Sequence, residues 1–385
     1  MRPELELVLS CARTEMDATH AARIRTLCAS GLDWAAVMSI ARPHGLTPLL
    51  YRNLNALGPE GVPRGVLEQL GAQSAGDRVR SLQLAAQLVS ILDVLAAAGI
   101  PAIAFKGPAL AVALYGDLSL RRFTDLDLLV HRDDVLSCKR RLLVNGYRPR
   151  LLLTPAQEAA HLRSDCEYNF DRERGRITVE VHWDIAPRSF AVRQDHERLW
   201  KDAQSIVLNG TSVRVPAPAD LLLMLAVHGA KHLWERLTWI CDIAEFIRVH
   251  PTLDWSLVLE DARARGIERM VLLALTLAAD LLGAPLPDAA RGRLSAERTV
   301  ATLARQIEAW LERDAIPPAK SLTALRTTAA MRERWIDRAR YMLRTTLTPT
   351  IDDWAWARLP APLFFGYYLL RPLRLAVKYG SRSSG

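Results

Sequence analysis

The sequence is poor in cysteine. Cys11, Cys28, Cys138, Cys166 and Cys241 are scattered over 385 residues, an odd number with no CxxC pair. Neither a disulfide framework nor a structural zinc site is expected, and reduced thiols are the simple reading. No run of about 18 uncharged apolar residues occurs, so no membrane-spanning helix is expected. The opening MRPELELVLSCARTE places acids before any apolar run, unlike a signal peptide; a cytoplasmic location is expected. Aromatic residues make up 6%. They form no strand platform alternating with basic residues, so nucleic acid is not expected as a partner. Acidic excess is missing too: the net charge is +8, with arginine dispersed along the chain. A diffuse positive field suits phosphate-bearing ligands, RNA or a membrane surface alike. It equally suits the plain solvated surface of an arginine-rich protein.

Against that background one stretch stands out, IAFKGPALAVALYGDLSLRRFTDLDLLV, from Ile103 to Val130. It predicts a strand, a turn at Lys106-Gly107, a short helix over Ala109–Tyr115 and a second strand. Gly107 permits a tight turn and Pro108 suits the start of a helix. The helix N-terminus then offers an anion site, with the Lys106 charge beside it. In the second strand, alternation puts Asp125 and Asp127 on one face and Leu126, Leu128 and Val130 on the other. Like charges at that spacing repel unless a cation lies between them. Thr178–Asp184 alternates the same way, with Glu180, His182 and Asp184 opposite Val179, Val181 and Trp183. Paired beside the first acidic strand, it would bring Glu180 to the same cation. Further on, His228 and His232 lie at i and i+4 on one helical face around Lys231. The spacing could bind zinc, but the Glu of HExxH is missing between them. Contact with nucleotide or acceptor, or plain helix packing, are the two alternatives; Arg236 and Asp242 are expected to pair across this segment.

FKGPAL, YGDxxxRRFTDLDLLV, VEVHWD and HGxKHxWERLxWxxDIAxxI, spread over residues 103–247, resemble an uncharacterised nucleotidyltransferase family of the polymerase-β-like superfamily, whose members often occur with lasso-peptide biosynthesis. The resemblance implies Mg²⁺-dependent transfer of a nucleoside monophosphate from an NTP co-substrate to a peptide or small-molecule acceptor. It implies two Mg²⁺ ions on Asp125 and Asp127, with Glu180 helping to activate the acceptor. It places Lys106, Gly107, Arg121 and Arg122 on the nucleotide's phosphates. His182 is expected either on nucleotide or acceptor, or as a hydrogen-bond partner of the ligands. His228, Lys231 and His232 are assigned to acceptor or phosphate. Pro108 departs from the superfamily's usual Gly-Ser or Gly-Gly and removes one backbone donor. The alternative is a protein on the same fold that binds peptide or nucleotide without turnover.

The fold class expected is α+β: a small mixed-sheet nucleotidyltransferase core with an N-terminal helical cap and a C-terminal helical domain. The expected divisions are 1–78, 79–215, 216–316 and 317–385. The cap is helical, with Asp33 as the N-cap of a helix from Trp34 to Ala41. Leu82, Ala85, Leu88, Val89, Leu92 and Leu95 mark a further helix. Tyr168–Phe170 and Ile177–Trp183 predict a hairpin, and Asn209-Gly210 a second. Residues 253–282, 286–314 and 327–345 are expected as helices. The tail, residues 361–379, sets Phe364, Phe365, Tyr367 and Tyr368 beside Arg371, Arg374 and Lys378. It either docks on the helical domain or contacts a partner or a membrane surface. Ser381–Gly385 is expected to be disordered.

Overall fold

The computed structural model describes residues 1–380 apart from 59, 320 and 358; Ser381–Gly385 lies outside the described residues. Four short helices open the chain: α1 (Pro3–Cys11), α2 (Ala18–Cys28), α3 (Trp34–Ala41) and α4 (Thr47–Leu57). The Asp33 carboxylate caps α3, accepting from the N–H groups of Ala35 and Ala36. Helix α5 (Arg64–Ala97) then runs unbroken through residues 78 and 79, where a division was expected. It is long and apolar enough, by length and composition, to cross a membrane, a feature the sequence reading did not anticipate. Here Leu84, Leu88, Ile91 and Leu95 pack it onto the sheet, while Leu82 of the expected stripe is exposed.

The core sheet is assembled from β1 (Ala102–Ala104), β2 (Asp125–Val130), β3 (Arg148–Pro149), β4 (Glu167–Arg172) and β5 (Ile177–His182), in the order β1-β2-β5-β4-β3. Helix α6 (Gly107–Tyr115) joins β1 to β2; α7 (Val135–Val144) and α8 (Pro155–Ser164) flank β3. Strands β2 and β5 are parallel and every other pair is antiparallel. The architecture is the mixed α+β class expected. Leu126, Leu128, Val130, Val179 and Val181 share an apolar cluster with α5. Leu129, one residue out of phase, belongs with the helical body on the opposite face. That opposite face carries Asp125 and Asp127, as alternation requires.

After α9 (His196–Lys201), β6 (Gln204–Leu208) and β7 (Thr211–Val215) form a hairpin about Asn209-Gly210. Both turn residues have positive φ, as a type I′ turn demands. The helical body follows: α10 (Pro218–Lys231), α11 (Leu237–Val249), α12 (Trp255–Arg265), α13 (Glu268–Leu282), α14 (Asp288–Leu294) and α15 (Arg298–Arg313). The two long helices expected over 253–282 and 286–314 are each two shorter ones, broken at Gly266-Ile267 and near Ser295. The first four helices and this body share one apolar cluster, with Leu7 and Leu49 in the same core as Leu222 and Leu273. The two ends of the chain thus close together over the acidic face of the sheet. Last come α16 (Leu322–Ala330), α17 (Trp335–Leu347), α18 (Ile351–Trp356) and α19 (Tyr367–Gly380).

Candidate functional site

Lys106 is the N-cap of α6 and Gly107 its first residue. Gly107 has φ +56°, and a Cβ there would lie 2.9 Å from the Asp125 carbonyl oxygen. Only glycine lets the helix start this close to the acidic strand. The close approach sets the Lys106 ammonium against Asp127, with Nζ 2.6 Å from Oδ1.

The parallel register places Glu180 directly opposite Asp127, and Asp125 opposite Thr178. Ligand atoms of Asp127, Glu180 and His182 all lie within 4.8 Å of one another. Asp125 stands outside that tight group but within electrostatic reach of it. Burial, reinforced by the Asp127 and Glu180 charges, pushes the Asp125 carboxyl up to about 6. Burial opposes ionisation of Asp127 as well, yet Lys106 and His182 hold it well below the usual carboxylate range. Adjacent acids with opposed environments are a common arrangement at reactive sites.

His182 is buried, with Nε2 3.3 Å from Asp127 Oδ1 and 3.5 Å from Glu180 Oε2. Desolvation disfavours its charged form, but contacts with Asp127, Cys166 and Glu180, and the charge of Glu167, hold it protonated well above the usual histidine range. Both Asp127 oxygens and both His182 ring nitrogens are enclosed and lack a well-directed hydrogen bond among the described residues. A buried acid cluster balanced by charge contacts alone has the make-up of a cation site.

Lys106, Asp125, Asp127 and Glu180 line a cleft of about 510 Å³ whose opposite wall comes from α10 and α11. His228 and His232 are there, with ring centroids 4.8 Å apart, each against Trp239 at 4.8 and 5.4 Å. Burial and the Lys106 charge hold His228 far below its ordinary range. Burial and the Lys231 charge bring His232 down to about 3. Both rings are therefore neutral, and with Trp239 they form a cluster of tilted rings, His228 edge-on to Trp239 at 80°, on the wall across from the acids. Gly229 shapes that wall, since a Cβ there would sit 2.5 Å from the Trp234 ring. Leu233 and Trp234, both at φ +55°, turn the chain tightly between the two helices.

Arg121, expected on phosphate, lines the cleft and donates from Nε and Nη2 to the Asp242 carboxylate at 2.7 and 2.8 Å, where the Tyr115 hydroxyl also donates at 2.8 Å. Both charges are buried. The pair ties the acidic strand's approach loop to α11, a contact between segments far apart in sequence. Asp242 is thereby taken, and Arg236, its expected partner, lies over the Trp239 ring instead. Arg122 does reach the cleft, steadied by donation to the Arg42 carbonyl at 3.0 Å. Asp184 points elsewhere, with Oδ2 3.6 Å from His196.

Glu167 is the residue that sequence reasoning missed. It pairs across β4–β5 with His182, and its Oε2 lies 3.6 Å from His182 Nδ1 and 3.7 Å from Lys231 Nζ. The alternation Glu167-Tyr168-Asn169-Phe170, with both aromatics buried, was the signal available. Residues Pro43 and Gly45, from the turn between α3 and α4, also line the cleft, so the N-terminal helices contribute to it.

A lysine at a helix N-terminus, facing buried acids across a polar cleft, defines a site suited to phosphate groups held through a cation. A family model described as "Uncharacterised nucleotidyltransferase" matches residues 30–283, more than half of the chain, and the chain belongs to that family. Among solved structures, an antigenic nucleotidyltransferase-like protein from Paracoccidioides brasiliensis is similar at 17% identity, covering 54% of this chain and 95% of that one, with a TM-score of 0.32. No curated protein matches the sequence.

Proposed function

We propose that this chain transfers a nucleoside monophosphate from an NTP to a hydroxyl or phosphate of a peptide or small-molecule acceptor. The acceptor oxygen attacks the α-phosphorus, the bond from that phosphorus to the β-phosphate's bridging oxygen breaks, and pyrophosphate leaves. The observation carrying this reading is the β2–β5 register, which sets Glu180 beside Asp127 within reach of Lys106 and His182.

Asp125, Asp127 and Glu180 supply the hard oxygen donors that Mg²⁺ takes. When bound there, two such ions would screen the triphosphate and the departing pyrophosphate. His182 sits against the Asp127 and Glu180 carboxylates and orients them. Lys106 and Arg122 offset charge on the phosphates, and Gly107 brings the α6 N-terminus close to them. Glu180 has its side chain 19% exposed where Asp127 has 1%, so it is the acid placed to meet an acceptor and take a hydroxyl's proton. His228, His232 and Trp239 provide a neutral, tilted aromatic wall for the uncharged part of the nucleotide or acceptor. Lys231, beside Glu167, lies at the same wall.

The test is incubation with each NTP, Mg²⁺ and candidate acceptors, following pyrophosphate. Release is expected for one or more NTPs, and Asp127→Asn and Glu180→Gln should each lower it by about 10²-fold or more. NTP binding without pyrophosphate, acceptors present, would leave a non-catalytic binding protein and refute the proposal.

A further inference from the structure

The tail inverts the usual amphipathic order. A helix on a soluble surface turns apolar residues inward and charges outward. In α19 two arginines face in: Arg371 Nη1 donates to Asp353 Oδ2 at 2.8 Å, its Nη2 donates to the Thr345 carbonyl at 2.7 Å, and Arg374 Nε also donates to Asp353. Arg371 and Arg374, two of the tail's cations, are thus turned toward the protein. Tyr368, Leu369 and Leu373 face out, as does Phe365 just before the helix. The adjoining α17 repeats the pattern. Asp337 and Tyr341 are buried, while Trp335, Ile336, Met342 and Leu343 are exposed. Trp335 is 77% and Leu369 70% exposed, so these side chains stand clear of the surface. Protruding apolar groups suit a fluid apolar medium better than a folded partner, which would need a matching socket for each.

Beside this face lies a hollow of about 440 Å³, lined by Leu347, Trp354, Phe364 and Tyr368 together with Arg163, Arg188 and Arg344. Among the described residues no acidic side chain lines it. Arg344 Nη1 donates to the Arg188 carbonyl at 3.2 Å, and among the described residues none of the three arginines has a carboxylate partner. Burial and the neighbouring Arg188 and Arg340 charges lower the Arg344 affinity for its proton. Three cations thus gather at the edge of an apolar surface, where they also line an adjoining hollow that holds Asp133, Asp165 and Asp184.

We propose that α17, α19 and the segment between them form a docking face for an anionic membrane surface. The exposed apolar side chains enter the headgroup–acyl boundary, and Arg163, Arg188 and Arg344 hold lipid phosphates. The observations carrying this are independent of the cleft.

The test is flotation of the full chain with phosphatidylcholine vesicles, and with phosphatidylcholine–phosphatidylglycerol vesicles in a three-to-one mixture. The chain should float with the anionic vesicles and not the neutral ones, and less as salt rises. Arg188→Gln and Arg344→Gln should each weaken binding about fivefold. Leu369→Ser with Leu373→Ser should weaken it by about tenfold or more, the wild-type circular dichroism being retained because both side chains are exposed. A second readout is quenching of Trp335 by brominated lipid, taken as the difference from Trp335→Phe. No flotation on either vesicle, equal flotation on both, or anionic binding indifferent to the leucine pair would overturn the proposal. A concentration-dependent dimer abolished by the leucine pair would also overturn it, by putting a second copy on the face.

Discussion

Asp125 offers the sharpest test of the acidic cluster, because removing it should improve stability while harming function. Its carboxyl is raised from an ordinary 3.8 to about 6 by burial and by the charges of Asp127 and Glu180. The folded state therefore disfavours the ionised form. Below about pH 4 the group is protonated in folded and unfolded chains alike and costs nothing. Between about pH 4 and 6 the folded chain binds more protons, so this group's contribution to stability falls as pH rises. Above that window the full penalty remains: the difference between 3.8 and about 6, at about 1.36 kcal/mol per pH unit, is about 3 kcal/mol. Asp125→Asn removes the charge and keeps the shape. Unfolding entropy of about 2.1 cal/mol/K per residue gives about 0.8 kcal/mol/K for a chain of this length. The metal-free variant should then melt about 2–4 °C higher than the wild type at pH 7.5, with the gap closing by pH 4. Differential scanning fluorimetry in chelator, across pH 4 to 8, measures this. Adding Mg²⁺ and an unhydrolysable NTP should stabilise the wild type more than the variant, by mass action. An unchanged or lower melting temperature for Asp125→Asn at pH 7.5 in chelator would refute the claim that Asp125 sits in an unrelieved acid cluster.

Two further outcomes follow from the surrounding frame. Asp242→Asn leaves the Arg121 guanidinium buried without a counter-charge and should cost about 3–5 kcal/mol in urea unfolding, most of it recovered by Arg121→Met combined with Asp242→Leu. Gly229→Ala should force the Trp234 ring aside, costing about 1–3 kcal/mol; a shift in tryptophan emission together with reduced pyrophosphate release would report it, and wild-type behaviour in both would show that the wall tolerates the extra methyl.

How much of this was legible beforehand varies by residue. Asp33 as a cap and Asn209-Gly210 as a turn depend on neighbours in the chain, and both formed as expected. The break in residues 253–282 was missed because continuous apolar spacing masked the signal at Gly266. Glu167 was overlooked because it opens β4, and its alternation with Tyr168 and Phe170 points to the site only once the partner strand β5 is known. Arg121 and Arg122 are indistinguishable as text. Both line the cleft, but Arg121 is buried and paired with Asp242 while Arg122 is more exposed, and only the fold separates them. The tail's aromatic and basic content was plain, but which residues faced outward was the reverse of a simple amphipathic reading, because Asp353 draws both arginines inward.

By itself the sequence determined the local features of this protein: which residues alternate on a strand, where helices begin, and that acids, a lysine and a glycine turn lie close along the chain. Those follow from backbone geometry, which acts over a few residues. The tertiary structure alone decided that β5 pairs parallel to β2 in the register bringing Glu180 to Asp127, and that α10 and α11 close the cleft with two neutral histidines. It also decided which of the two cleft arginines is tied to a buried carboxylate. These depend on burial and charge summed over segments distant in sequence, and no local pattern carries that sum.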